Sequence, residues 1–323
     1  MEQIFNYTAY IASLGITPVG LAYLATLENA GPESEDCLTL NIWTKPQVGG
    51  QGKAVILFMH GGDFVTESSS RPWYNVKYIV DDQDVFLVTF NYRLTIFGFL
   101  GNHLSAPNLG LLDMRLAVEW VRDNIEGFGG DPSRITLVGQ SAGGSAIDYP
   151  RSMSGTVYKL RMATNQSATD FWFNITTNVG CGVPSANRTA VYECMMTKPA
   201  TNITEAASSL GIGSTYGGAR FGPTPDNKLV FENYTGREPA QLPMIIGNTA
   251  YEAGLFRLLQ PELHSETVVM LINQLSFDCP TAARAALSVE DGNSTWRYRF
   301  FGVFPNLMLT ANPPSGAFHG SDV

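Results

Sequence analysis

Residues 138–144 read Val-Gly-Gln-Ser-Ala-Gly-Gly and follow directly on the apolar run Ile135-Thr136-Leu137-Val138. A serine on a sharp turn between a strand and a helix has its hydroxyl lifted clear of the sheet, which is the setting for a nucleophile. Such a turn strains the backbone, and Gly139 and Gly143 keep side chains out of its way. Ser141 is therefore the candidate nucleophile, and the amide of Ala142 is a candidate donor to an oxyanion. Upstream, Ala54-Val55-Ile56-Leu57-Phe58-Met59 reads as a buried strand that runs straight into His60-Gly61-Gly62-Asp63-Phe64. Glycines let backbone approach a substrate closely, and prearranged amides of Gly61, Gly62 and Asp63 would each be worth roughly 3 kcal/mol to a developing oxyanion. Taken alone, the same residues fit an ordinary Gly-Gly turn at a strand end. Asp63 stands where a third glycine would be wanted. Its amide can donate, but its carboxylate opposes an oxyanion unless it points away or is paired.

An activated serine needs a base to take its proton and an acid to fix the base's tautomer. The chain has four histidines. His60 belongs to the glycine loop, while His103 and His264 sit in polar sequence without a recognisable partner. His319, in Ser315-Gly316-Ala317-Phe318-His319-Gly320-Ser321-Asp322, is left as the base. The matching carboxylate is Glu252, in the loop that follows the apolar run Ile245-Ile246. The resulting order Ser, Glu, His is the chain order of α/β-hydrolase triads.

To position these groups, the pattern predicts strands near 38–43, 54–59, 85–91, 135–139, 243–247 and 297–303. Helices are predicted at 72–80, 113–126, 142–148 and 266–274, with Pro150 stopping the helix after Ser141 early. Strands alternating with helices, with chemistry-bearing loops after strands, imply a mainly parallel sheet covered on both faces. At 323 residues and 44% apolar content, the chain is expected to form a single α/β domain over 1–323. Residues 1–33 would be an irregular or helical lead. The Asn-, Thr- and Gly-rich stretch from about 150 to 240 reads as the least regular part.

Several blocks resemble type-B carboxylesterases of the cholinesterase-like group, fungal secreted members in particular. They are Ser34-Glu35-Asp36-Cys37-Leu38-Thr39-Leu40-Asn41-Ile42-Trp43, Phe90-Asn91-Tyr92-Arg93-Leu94 with Phe97-Gly98-Phe99, and Gly110 to Gly144. Phe221-Gly222-Pro223, Asp226-Asn227, Phe277-Asp278-Cys279-Pro280 and Trp296-Arg297-Tyr298-Arg299-Phe300 extend the match. The resemblance implies the α/β-hydrolase fold, with residues 150–240 as a cap or gorge insertion over the serine. It also implies a Cys181–Cys194 disulfide, and leaves Cys37 and Cys279 either free or paired with each other. The intervals of 111 positions from Ser141 to Glu252 and 67 from Glu252 to His319 are shorter than the family's, and the chain ends four residues after His319. A fold shortened at both ends, with the C-terminal part of the family fold missing, is the expectation, and it leaves open how firmly His319 is held.

A net charge of −9, with no basic cluster, argues against nucleic-acid binding. Asn6, Asn165, Asn174, Asn187, Asn202, Asn233 and Asn293 each begin Asn-x-Ser/Thr without proline. Seven such sites, mostly in loop-like sequence, point to a glycosylated and secreted protein. Residues 5–27 are uncharged, but Asn6, Ser13, Gly15, Pro18 and Gly20 interrupt them. A packed helix broken near Pro18 is favoured over a membrane span. The combined expectation is a secreted serine carboxylic-ester hydrolase acting on a small-molecule or lipid ester through an acyl-enzyme, with no metal or organic cofactor. The alternatives are a family member that binds without catalysing, a truncated product, or, among enzymes, a lipase.

Overall fold

A computed structural model describes residues 15–28, 33–46, 49–50, 52–102, 104–151, 163–210, 221–232, 240–260, 263 and 265–323. His103, His264, Asn6 and Asn233 lie outside the described residues. The chain divides into two compact units: residues 32–150 with 161–232, and residues 1–31, 151–160 and 233–323.

The first unit is built on four strands, β1 (Leu40–Trp43), β2 (Lys53–Met59), β3 (Phe86–Phe90) and β4 (Gly130–Gly139), in the order β1-β3-β2-β4. β3, β2 and β4 are parallel, and β1 pairs antiparallel with β3. Every residue of β3 is buried and most of β2 is too, so apart from Lys53 and Thr89 both are apolar throughout, as strands covered on two faces tend to be. β1, paired on one side only, alternates between half-buried and exposed. β4 begins five residues earlier than the apolar run suggested, with a register shift opposite Lys53 and Val55 where Asp131-Pro132 interrupts the ladder.

Between the strands, the predicted helix at 72–80 is split into a 3₁₀ turn at Pro72–Tyr74 and helix α2 (Lys77–Asp82), helix α1 (Pro18–Glu28) belonging to the second unit. α3 (Thr95–Gly98) is a single turn. α4 (Leu109–Asn124) buries Leu111, Met114 and Val121. Its Asp113 takes Arg93 through two side-chain bonds of 2.7 Å. α5 (Ala142–Arg151) runs past Pro150. Pro150 does not stop it, because a proline forfeits one backbone bond, a loss the helix bears through Arg151.

Three helices occupy the stretch expected to be least regular: α6 (Asn165–Asn178), α7 (Arg188–Met196) and α8 (Ala200–Ser209). Thr164 and Asn187 cap the first two, accepting from the amides of Ser167 and Ala190. Trp172, Ile175, Val191, Met195, Ile203 and Ala207 join the main core. A disulfide ties Cys181 to Cys194, 13 positions on, and closing so small a loop contributes about 3 kcal/mol in the chain-entropy picture. Cys37 and Cys279 are both free. Asn165, Asn174 and Asn202 lie in helices rather than loops, and Asn187 is a cap; all four are exposed. Asn293 is half-buried and accepts from the amide of Leu242.

In the second unit, α1 (Pro18–Glu28) starts at Pro18 instead of breaking there. Pro at the first helical position sacrifices an amide that has no helical partner anyway, and the Thr17 hydroxyl accepts from the amide of Gly20 at 3.0 Å. β5 (Met244–Thr249) and β6 (Thr295–Phe300) pair in parallel. Between them come α9 (Ala253–Leu259), α10 (Glu266–Asn273), a π-turn at Gln274–Asp278 and α11 (Cys279–Glu290). Leu24, Leu255, Leu258 and Leu309 form this unit's own buried cluster. No helix among the described residues is long and apolar enough to cross a membrane.

Candidate active site

Ser141 lies two residues beyond β4, immediately before α5, with φ at +54°. That left-handed backbone is uncommon for a residue with a Cβ and costs on the order of 1–3 kcal/mol, so the surroundings must enforce it. They do so by crowding. A Cβ on Gly143 would lie 2.7 Å from the His60 carbonyl oxygen and closer still to that of Met59, and one on Gly139 would lie 2.5 Å from the Gly144 nitrogen. α5 can therefore begin hard against the ends of β2 and β4 only with glycine at both positions.

The glycine loop sits beside this turn, since a Cβ on Gly61 would lie 2.9 Å from that of Ser141. Gly62, Asp63 and Phe64 follow with φ of +90°, +54° and +62°, a run of left-handed backbone that glycine tolerates and the other two residues hold under strain. Because peptides are planar and trans, fixing a carbonyl aims the following amide the opposite way. The Gly61 carbonyl is held by the Tyr92 hydroxyl at 3.1 Å. The Gly62 carbonyl is held by the amides of Val65 and Thr66, and that of Ser141 by the Ser145 amide and hydroxyl. The peptides so oriented carry the N–H groups of Gly62, Asp63 and Ala142. The amides of Gly62 and Ala142 have no acceptor among the described residues. Gly61 is buried, whereas Gly62, Asp63 and Ser141 are half-buried.

Beneath the loop, His60 is buried and stacks on Tyr92, with ring centroids 4.4 Å apart. Burial, partly offset by the Gly61 carbonyl, lowers its pKa to about 4, so the ring is neutral near pH 7. Burial first, with nearby Tyr74, Glu67 and Asp63 adding, raises Tyr92 well above the ordinary phenol value, so its hydroxyl keeps the proton it donates. An ion pair of Glu67 and Arg71, both side chains buried, lies nearby in sequence.

The second unit brings Glu252 and His319 together. Glu252 precedes α9, 4% exposed. One of its carboxylate oxygens accepts from the Thr249 amide at 2.6 Å, and the other lies 2.6 Å from Nδ1 of His319. A carboxylate can only accept, so the shared proton sits on Nδ1 and Nε2 of the neutral ring is left with a lone pair. The segment around His319 is anchored at several points. The Tyr251 amide donates to Ala317 O and the His319 amide to Glu252 O. Phe318 packs on the leucine cluster, and the Tyr298 hydroxyl donates to Asp322. A Cβ on Gly254 would run into the Ser315 carbonyl, so α9 can lie against this segment only with glycine there. Phe256 and Phe277 face the His319 ring at 5.4 and 5.3 Å between centroids. Phe277 comes from the π-turn, a feature frequent at functional sites.

Sequence reasoning named Ser141, Glu252 and His319 as candidates, and the structure brings Glu252 and His319 together; it did not single out Tyr92, Phe256 or Phe277. Tyr92 and Phe277 stood only in resembling blocks, and nothing in the pattern marked Phe256 or Phe277 as a neighbour of a histidine far along the chain. Among the described residues, no three His, Cys, Asp or Glu side chains gather as a metal-binding group.

The chain is 33% identical to a chlorogenic acid esterase of Aspergillus niger, over 91% of this chain and 60% of that protein. It is 32% identical to secreted lipase 5 of Gibberella zeae, over 90% and 62% respectively. It thus spans about 60% of the length of these curated relatives. The structure of a Geobacillus stearothermophilus carboxylesterase superposes with a TM-score of 0.70 at 27% identity, covering 84% of this chain and 67% of that one. The carboxylesterase family model matches residues 17–267; the chain has the α/β-hydrolase fold and belongs to the carboxylesterase family.

Proposed function

We propose that the protein is a serine carboxylic-ester hydrolase and that residues 1–323 belong to a single α/β-hydrolase domain. His319 takes the proton of Ser141 as the serine oxygen attacks the ester carbonyl, and Glu252 fixes the imidazole tautomer and stabilises the imidazolium. The amides of Gly62, Asp63 and Ala142 hold the tetrahedral oxyanion, while Gly61 lets the loop approach Ser141. Collapse releases the alcohol, protonated by His319, and leaves an acyl-enzyme on Ser141. Water, activated by the same histidine, then releases the acid. The observation that carries this reading is the Glu252–His319 contact of 2.6 Å, which holds a proton on Nδ1 and turns Nε2 toward the role of base. The substrate is a small-molecule or lipid carboxylic ester, both classes being represented in the names of the relatives. The disulfide, the exposed sequons and a secreted relative support an extracellular glycoprotein. The test is Ser141→Ala: loss of aryl-ester turnover with an unchanged circular-dichroism spectrum is expected, and turnover near the wild-type rate would refute the mechanism.

A further inference from the structure

Of the three peptides that would present oxyanion donors, two have their carbonyls fixed by their own segment: Gly62 by Val65 and Thr66, Ser141 by Ser145. The Gly61–Gly62 peptide differs. Its carbonyl accepts from the hydroxyl of Tyr92, 31 positions away, which also donates to the His60 carbonyl at 3.0 Å. Its other contact is local, with Nδ1 of His60 at 3.1 Å.

We infer that Tyr92 is a positioning residue for ester hydrolysis: its hydroxyl fixes the rotation of the Gly61–Gly62 peptide and thereby aims the Gly62 N–H at the oxyanion. The inference rests on the acyl-transfer reading above. Its geometric basis is the sheet. β2 and β3 run parallel with Phe58 opposite Thr89, so the residues just past Phe90 come alongside His60 and Gly61. Stacking on the His60 ring sets the phenol under both carbonyls, and the next residue is locked by the Arg93 amide and guanidinium on Asp113. A phenylalanine would stack equally well, so the hydroxyl is the part that acts on the loop.

The experiment is Tyr92→Phe in the full chain. Deleting a whole oxyanion donor costs about 10²–10³ in kcat. Here the donor remains but is aimed correctly only part of the time, so kcat on an aryl ester should fall about 10-fold with KM within about twofold. Affinity for a trifluoromethyl ketone, which forms the tetrahedral adduct, should weaken in the same proportion. Val121→Ala, a core truncation in α4, controls for general destabilisation and should leave kcat unchanged. Crystal structures of wild type and Tyr92→Phe provide a readout independent of turnover, with the Gly61 carbonyl expected to rotate or adopt two orientations in the variant. Unchanged kcat in an active enzyme, or an unmoved peptide, overturns the inference. A wild type without esterase activity sinks the acyl-transfer reading instead, and the peptide orientation then decides whether Tyr92 shapes the loop.

Discussion

Gly143→Ala isolates the steric basis of the turn at Ser141. The φ of Gly143 is not left-handed, so alanine carries no conformational penalty there and any effect comes from crowding. The added methyl would start 2.7 Å from the His60 carbonyl oxygen and nearer still to that of Met59. Both are backbone atoms at the end of β2, unable to swing aside like a side chain. Restoring ordinary contact requires α5 and the Ser141 turn to retreat by about 1 Å, and a displacement of that size costs about 10²-fold in rate when the moved group is the nucleophile. The overpacking itself should cost about 1–3 kcal/mol of stability. The assay is kcat/KM on an aryl ester beside urea unfolding, with Gly127→Ala as the companion, since a Cβ there meets nothing within 4 Å. A Gly143→Ala enzyme within threefold of wild type would refute the close-packing argument.

Two further outcomes follow from the buried groups. Glu252→Gln keeps an oxygen for the Thr249 amide but allows the wrong imidazole tautomer. Ester turnover should fall about 10³–10⁴-fold, by analogy with the same change in serine proteases, with little change in melting temperature; a drop below tenfold in steady-state assays would contradict the tautomer argument. His60 has its folded pKa lowered from 6.5 to about 4 by burial, so between those values the unfolded chain binds the extra proton. Stability is therefore fully present above pH 6.5 and is lost as pH falls toward 4, by about 3 kcal/mol in total. Urea unfolding across that range should show the decline in wild type and its reduction in His60→Asn; equal slopes would count against it.

The strands were legible because Ala54–Met59 is an unbroken apolar run and Phe86–Phe90 is apolar but for Thr89, as strands of a doubly covered sheet are. Helices α6 to α8 were hidden by composition. Asn- and Thr-rich sequence has low intrinsic helix propensity, yet capping residues Thr164 and Asn187 and the i, i+4 pairs Trp172–Thr176, Val191–Met195 and Ile203–Ala207 carried the signal. Packing of those pairs into the core overrides the propensity. At the candidate site, Ser141 stood out through its flanking glycines, at which any added side chain would collide with named backbone atoms. Tyr92 did not, because its role depends on the parallel register of β2 and β3, a long-range fact that local sequence does not contain.

Covalent labelling with a fluorophosphonate tests the central claim most directly, because the reagent reacts with a serine only when base and oxyanion donors are assembled around it. The account predicts stoichiometric labelling of the purified chain at Ser141, located by peptide mass spectrometry, and loss of labelling in His319→Ala. A well-folded protein that stays unlabelled, or one labelled at Ser141 equally well without His319, would contradict it.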